Sequence, residues 1–162
     1  MTAPSRTTTT LDELPALKGQ ELGTTEWFEV TQERVDTFAD ATDDHQWIHV
    51  DAARAQRESP FGGPIAHGYL TLSLLTPMYK QVLQVSDAVM GLNYGLNKAR
   101  FPAPVPVGSR IRLIATLEDV TEVAGGLQLT VGAVVQREGG AKPVCIAELV
   151  YRVYGASAPG SS

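Results

Sequence analysis

The sequence carries a single cysteine, Cys145, so no intrachain disulfide can form. A lone thiol suits a reducing cytosol, and a cytoplasmic protein is the expectation. No apolar run approaches the roughly 18 residues of a membrane-spanning helix, so membrane insertion is not expected. Basic clusters are missing as well: the 13 Lys and Arg are scattered, the net charge is -5, and nucleic acid is not an expected partner. An acidic balance still permits a phosphate-bearing ligand, because local basic residues can hold one. The opening MTAPSRTTTT lacks the apolar stretch of a secretory signal. It is polar and Thr-rich, and reads as a disordered tail over 1–10. The closing GASAPGSS reads as a second tail over 155–162. No internal repeat is visible. The 162 residues suit one domain, expected over 11–154. A chain of this size buries about 68–70% of its unfolded surface and needs no disulfide or metal to fold.

The apolar residues that remain are patterned. Thr31 is a good N-cap, Glu33 sits where the helix dipole favours an acid, and Val35, Phe38 and Ala39 recur at helical spacing. The spacing predicts a short amphipathic helix over 32–41. Asp51 can cap a second short helix through Ala52 to Ala55. After the glycine- and proline-dense loop at 59–64, the chain is almost continuously apolar from Ala66 to about Val85, too apolar all round for a surface helix. A buried helix is expected there, with Pro77 kinking it or ending it early. Three segments then alternate with period two: Ile111 to Leu117, Leu127 to Val135 and Cys145 to Val153, divided by Gly125-Gly126 and Gly139-Gly140. That is the pattern of an antiparallel meander. One buried helix followed by strands argues for an α+β domain, a helix covered by a curved antiparallel sheet. Periodicity does not name the fold.

Two stretches can carry chemistry. The island from Asp43 to Asp51 holds two of the three histidines and three carboxylates in a loop between helical pieces. Asp44 and His49 stand five residues apart, and a curled loop would aim both at one water as an acid–base pair. Two other readings stay open on the residues alone. Asp and His in loops often cap helices. Asp44, His45, His49 and Asp51 are also possible metal ligands, although no helical HxxxH pair accompanies them and the lone cysteine is distant. The second stretch, Ile65-Ala66-His67-Gly68-Tyr69-Leu70, leads the glycine-rich loop into the buried helix. Its first N–H groups have no internal acceptor and suit a developing oxyanion, or they simply start a helix with His67 as a structural residue.

Together these stretches resemble a known family. Asp44-His45-Gln46-Trp47-Ile48-His49-Val50-Asp51 is similar to the GDxNPxHxD motif of MaoC-like dehydratases and (R)-specific enoyl-CoA hydratases. Phe38 matches the aromatic that precedes it. Pro64-Ile65-Ala66-His67-Gly68 resembles the PIxHG stretch, and Arg100 to Gly108 resembles the F-x-x-P-V-x-x-G-D segment. Asn93-Tyr94-Gly95-Leu96-Asn97-Lys98 looks most like the NodN-like branch, which includes actinobacterial 3-hydroxyacyl-thioester dehydratases. Within the motif, Asp43 replaces Gly, Gln46 replaces Asn and Trp47 replaces Pro.

The resemblance implies a hot-dog fold, a long central helix wrapped by a curved antiparallel β-sheet, paired into a homodimer through edge strands. It implies hydration of trans-2-enoyl-thioesters to (R)-3-hydroxyacyl-thioesters, with Asp44 taking a proton from water, His49 helping deliver one to C2, and the Gly68 N–H as oxyanion hole. Gln46, Trp47, His67, Tyr69 and Thr76 are the substrate-binding residues it implies, with Lys98 and Arg100 at the rim for carrier phosphates. No metal and no redox cofactor are implied; coenzyme A or acyl carrier protein enters as part of the acyl-thioester substrate. The rivals are a non-catalytic acyl-binding or assembly subunit and a hot-dog thioesterase. The thioesterase families lack the Asp…His pair.

Overall fold

A computed structural model describes residues 3–156. The three alternating segments are strands β6 (Arg110–Val123), β7 (Gly126–Arg137) and β8 (Cys145–Tyr154), numbered in chain order. They pair as the expected antiparallel meander. Ile111, Leu113, Ala115 and Leu117 are fully buried on β6, and Leu129, Val131, Ala133 and Val135 almost fully on β7. Period two places these residues on one face, which is the apolar floor of the domain. Ala115 lies opposite Ala133, and Ala133 opposite Ala147. Three small side chains in a row lower the floor and leave room for a helix above it.

That helix is the apolar stretch after Ala66, in two pieces: α4 (Gly68–Ser73) and α5 (Leu75–Val82). The chain stays helical at Leu74, whose N–H bonds the Leu70 carbonyl at 3.0 Å and whose carbonyl accepts from Met78 at 3.2 Å. The interruption follows from Pro77, which has no N–H to give the Ser73 carbonyl. The helix stops at Val82, earlier than the hydropathy suggests. Leu83–Val85 forms β4, because its apolar residues serve a strand as well as a helix.

Three shorter strands and one long one escape the sequence pattern: β1 (Ser5–Thr9), β2 (Glu21–Thr24), β3 (Phe28–Glu29) and β5 (Met90–Arg100). The sheet runs β4-β1-β2-β6-β7-β8-β5, with β3 also on β6. α5 packs on β1, β2, β4 and β6, and α4 packs on β8. The sheet therefore wraps a central helix, as the family resemblance implies. Bulges at Glu21/Gly23, Leu117/Asp119 and Asn93/Gly95 add the twist that curls it.

The N-terminal tail expected over 1–10 needs correction. Ser5 and Arg6 pair antiparallel with Thr24 and Gly23, while Thr7–Thr9 pair parallel with Leu83–Val85. A threonine run reads as polar and loose, yet its β-branched side chains fit a pleated backbone. Thr7 further donates its hydroxyl to the Leu22 carbonyl at 2.7 Å. Most of the C-terminal tail lies outside the described residues.

Helix α1 (Gln32–Thr42) forms as its pattern indicates, with the Thr31 hydroxyl accepting from Arg34 N–H. Two short helices follow, α2 (Trp47–Val50) and α3 (Ala52–Glu58), and Asp51 caps α3 through Arg54 N–H at 2.9 Å. No helix among the described residues is long and apolar enough to cross a membrane.

Gly23 is where β1 meets β2. Its φ is +154°, and a Cβ there would fall 2.2 Å from the Ser5 carbonyl oxygen. Gly23→Ala is expected to destabilise the protein by about 1–3 kcal/mol. Hydrogen exchange should localise the effect, with amides of Thr7 and Thr9 exchanging faster and those of β7 unchanged.

Candidate active site

Three loops converge at the start of α4. The Ile65 N–H donates to the Ile48 carbonyl at 3.1 Å. On its other side, Ala66 N–H bonds the Val105 carbonyl at 2.8 Å, and Val107 N–H bonds that of Pro64 at 3.0 Å. The segment 64–66 thus runs like a short strand between α2 and the proline-stiffened stretch 101–108. The three motifs behind the family resemblance are far apart in sequence and adjacent in space.

Asp44 sits just past the end of α1. Asp43 forms the C-cap with φ 58 and ψ 21, the left-handed conformation in which the motif usually has glycine. Aspartate tolerates it better than most side chains. The turn sends the Asp44 carboxylate outward, where its side chain is 54% exposed.

His49 lies in α2 and is 8% exposed. Its loop is fastened to α1 by Gln32, whose amide donates to Asp36 Oδ1 and to the His49 carbonyl, each at 2.8 Å. On the ring, Nδ1 stands 2.7 Å from the Ile65 carbonyl oxygen. A carbonyl only accepts, so Nδ1 carries the hydrogen. In the neutral ring Nε2 is then the bare acceptor, which is the state a base or water-holding group needs. Burial holds the His49 pKa below 6.5, and the nearby His67 imidazole adds to that. The Ile65 bond and the Asp44 carboxylate oppose it without reversing it.

His67 is 3% exposed and stacks on His49, with ring centroids 3.9 Å apart and planes 29° apart. Its other neighbour is Phe38, at 5.0 Å. Nε2 donates to the Asp44 backbone carbonyl at 2.9 Å and lies 3.9 Å from Asp44 Oδ2. His67, a substrate-binding candidate, is enclosed by the site's own residues. Asp44, His49 and His67 offer polar atoms within 4.8 Å of one another, the one such group of three with metal-ligand chemistry among the described residues. The hydrogen bond that His67 Nε2 makes to a carbonyl engages that nitrogen and leaves Nδ1 as the unengaged one. His45 and Asp51 stand apart: His45 bonds Asp40 at 2.8 Å in the open, and Asp51 caps α3.

The remaining sequence candidates divide. Gly68 is the first residue of α4, so its N–H has no acceptor within the helix. A Cβ on it would fall 2.9 Å from the Phe101 ring, so a side chain there would require that ring to shift. Beside it runs a groove of about 380 Å³ lined by Phe61, Ile65, Thr71 and Phe101, among others. Sequence reading missed Phe101 as a wall of this groove. Tyr69 is 73% exposed and meets Phe101 edge-on. Gln46 is exposed, and its carbonyl accepts from His49 N–H. Trp47 is half-buried beneath the Arg54 guanidinium, 4.4 Å from the ring centre. Thr76 lines a different cleft of about 300 Å³, with Asn93, Leu96 and Tyr151. Lys98 pairs with Glu148 at 2.9 Å, and Arg100 bonds the Ala99 carbonyl at 2.7 Å.

Comparison with known proteins bears on the family and the fold. The family described as MaoC like domain matches residues 13–138. The 3-hydroxyacyl-thioester dehydratase Z of Mycobacterium tuberculosis is 49% identical over 148 residues, 91% of this chain and 97% of its own length. Nodulation protein N of Rhizobium leguminosarum bv. viciae is 55% identical over 103 residues, 63% of this chain and 64% of its own. Among solved structures, the unliganded R-hydratase PhaJ1 of Pseudomonas aeruginosa is similar with a TM-score of 0.70 at 22% identity, covering 85% of this chain and 82% of that one. At that identity the likeness speaks for the fold alone, and it is the expected hot-dog fold.

The histidines should titrate apart in NMR. His45, hydrogen-bonded to Asp40, should titrate above 6.5 and His49 below it. For His49 the depressed value means that the unfolded chain takes up its proton first as pH falls. Its contribution to stability is therefore complete above 6.5 and lost as pH drops from there through the folded value. A His49 titration above 6.5 would contradict the buried, pinned ring.

Proposed function

The chain belongs to the MaoC-like domain family, and on that premise we propose that it adds water to trans-2-enoyl-thioesters to give (R)-3-hydroxyacyl-thioesters, and catalyses the reverse dehydration as a hydro-lyase. The observation that carries this reading is the approach of the Asp44 carboxylate and the His49 ring to within 4.8 Å. Two acceptors at that separation suit one water making hydrogen bonds of about 2.8 Å to both. With both hydrogens engaged, the water's lone pairs are free to face C3 of the acyl chain.

The step balances within the pair. As the water oxygen bonds C3, Asp44 takes one of its protons and the C2=C3 electron pair shifts toward the thioester carbonyl. The Gly68 N–H stabilises the charge that gathers on that oxygen. Neutral His49 has no hydrogen on Nε2 to give, so the proton that reaches C2 is the one removed from the water, passed through the pair. Water is consumed whole and no electrons leave, so the chemistry asks for no redox partner. Coenzyme A or acyl carrier protein is carried in on the substrate, and the groove at Gly68 and Phe101 receives the thioester end. Both Asp44 and His49 are retained, which favours turnover over passive acyl binding.

The protein works as a homodimer in this reading. β5 ends the sheet, with nothing paired beyond it among the described residues. Met90, Leu92, Tyr94 and Leu96 along it are 41%, 43%, 57% and 43% exposed. An open edge with an apolar row is a pairing surface, and a two-fold axis would join two such edges into one sheet.

Loss of enoyl absorbance from crotonyl-CoA and longer trans-2-enoyl-CoAs tests the reaction. Asp44→Asn and His49→Ala should each lower kcat by about 10²- to 10⁴-fold with the fold intact. In the wild type, kcat/KM should rise with pH to a midpoint below 6.5, where His49 becomes neutral. Full activity in both variants would remove the pair from the chemistry. Sedimentation should show a dimer that Leu92→Asp combined with Leu96→Asp converts to monomer.

A further inference from the structure

We propose that His67 is a positioning residue that sets the geometry of all three reacting groups: the Asp44 carboxylate, the His49 ring and the Gly68 N–H. The inference rests on the hydratase reading of the same site. It assigns His67 a role other than contact with the substrate.

Three independent links support it. The first runs to Asp44. The left-handed turn at Asp43 sets the direction of the chain but leaves Asp44 in an exposed loop. The bond from His67 Nε2 to the Asp44 carbonyl, 2.9 Å across 23 residues, fixes that backbone to the buried floor of the site. Rotation of the Asp44 side chain then starts from a fixed Cα.

The second link runs to His49. One face of the His49 ring lies against His67 at 3.9 Å, and Nδ1 is held by Ile65. A stacked ring with one nitrogen tethered has neither tilt nor flip available, so Nε2 keeps one direction. Phe38 backs the His67 ring, and burial leaves it little freedom of its own.

The third link is covalent. The His67 carbonyl accepts from the Thr71 N–H at 3.2 Å and from the Thr71 hydroxyl at 3.4 Å. That carbonyl and the Gly68 N–H share one planar peptide and point in opposite directions. Tying the carbonyl into the helix therefore turns the Gly68 N–H away from the helix, where no acceptor within the helix claims it. The one polar atom of the ring left over, Nδ1, is buried without a partner among the described residues. Such an orphan is tolerated where a group is held for another reason.

The test compares two substitutions. His67→Phe keeps a stacked ring and removes the donor to Asp44. His67→Gln places an amide N–H where Nε2 was and removes the ring. With crotonyl-CoA, His67→Phe should lower kcat by about 10- to 100-fold with little change in KM, the size of loss that small misplacements of reacting groups bring. His67→Gln, which keeps the donor to Asp44 but loses the stacked ring, should recover part of that loss. Both variants should move the acid limb of kcat/KM upward, because one influence that keeps His49 neutral is gone. Wild-type kcat in folded His67→Phe would overturn the proposal. So would equal losses in the two variants with an unmoved acid limb, which is the mark of a merely structural residue. If neither variant folds, nitrogen NMR of the wild type decides: a hydrogen on Nε2 of His67 supports the link to Asp44, and a hydrogen on Nδ1 alone overturns it. Failure here is distinguishable from failure of the hydratase reading. In the first case Asp44→Asn and His49→Ala still lower kcat by orders of magnitude; in the second, wild-type protein turns over no enoyl-thioester.

Discussion

The hydrogen bond from His49 Nδ1 to the Ile65 carbonyl, 2.7 Å across 16 residues, joins the loop after α1 to the loop before α4. It is answered by the backbone bond from Ile65 N–H to Ile48. These two bonds decide which nitrogen of His49 faces the ligand, and they hold α2 against the entrance of the central helix. The proline-stiffened stretch 101–108 closes the other side, through Val105 and Val107. The site is thus a junction of three loops, each anchored to the sheet or the helix. Loops can carry reacting groups accurately when a rigid scaffold fixes their ends.

Burial and electrostatics work together at this junction. His49 is enclosed enough to be held neutral, while Asp44 remains open to water. Two groups side by side in unlike environments are suited to accept and pass a proton. The apolar floor of β6, β7 and β8 supports α4 and α5 from below, and the packing of α4 on β8 holds Gly68 in place. At Gly68 the Phe101 ring lies against the space a Cβ would need, so a larger residue there would have to displace it. Core packing and site geometry therefore share residues, and substitutions at Gly68 or Phe101 would act on both.

Much of this was legible in the residues. Thr31, Glu33, Val35 and Phe38 announce α1 by capping and periodicity, and the meander follows from strict alternation between glycine turns. Those signals are local, as is the cap made by Asp51. What stayed hidden depends on distant partners. β5 reads Met-Gly-Leu-Asn-Tyr-Gly and buries neither face within the chain, so no alternation of burial marks it. β1 is a polar threonine run that becomes a strand only between β2 and β4. The resemblance makes His67 a substrate-binding residue, and spacing along the chain does not show that its ring lies on His49. Thr76 is a substrate-binding candidate by resemblance alone, and in the fold it lines a cleft with Asn93 and Tyr151. Asp43 is the informative departure: an aspartate takes the left-handed turn usually given to glycine, and the site behind it keeps its shape.

The central claim is that one water, held between Asp44 and His49, supplies both the hydroxyl and the proton from a single face of the double bond. The most direct measurement is the stereochemistry of crotonyl-CoA hydration in D2O, read by proton NMR of the 3-hydroxybutyryl product. A pair that adds the oxygen and returns the proton from the same side gives the (R) configuration at C3 and a single deuterium at C2, syn to the new hydroxyl. Anti placement of that deuterium, an equal mixture of the two C2 positions, or an (S) product would contradict it.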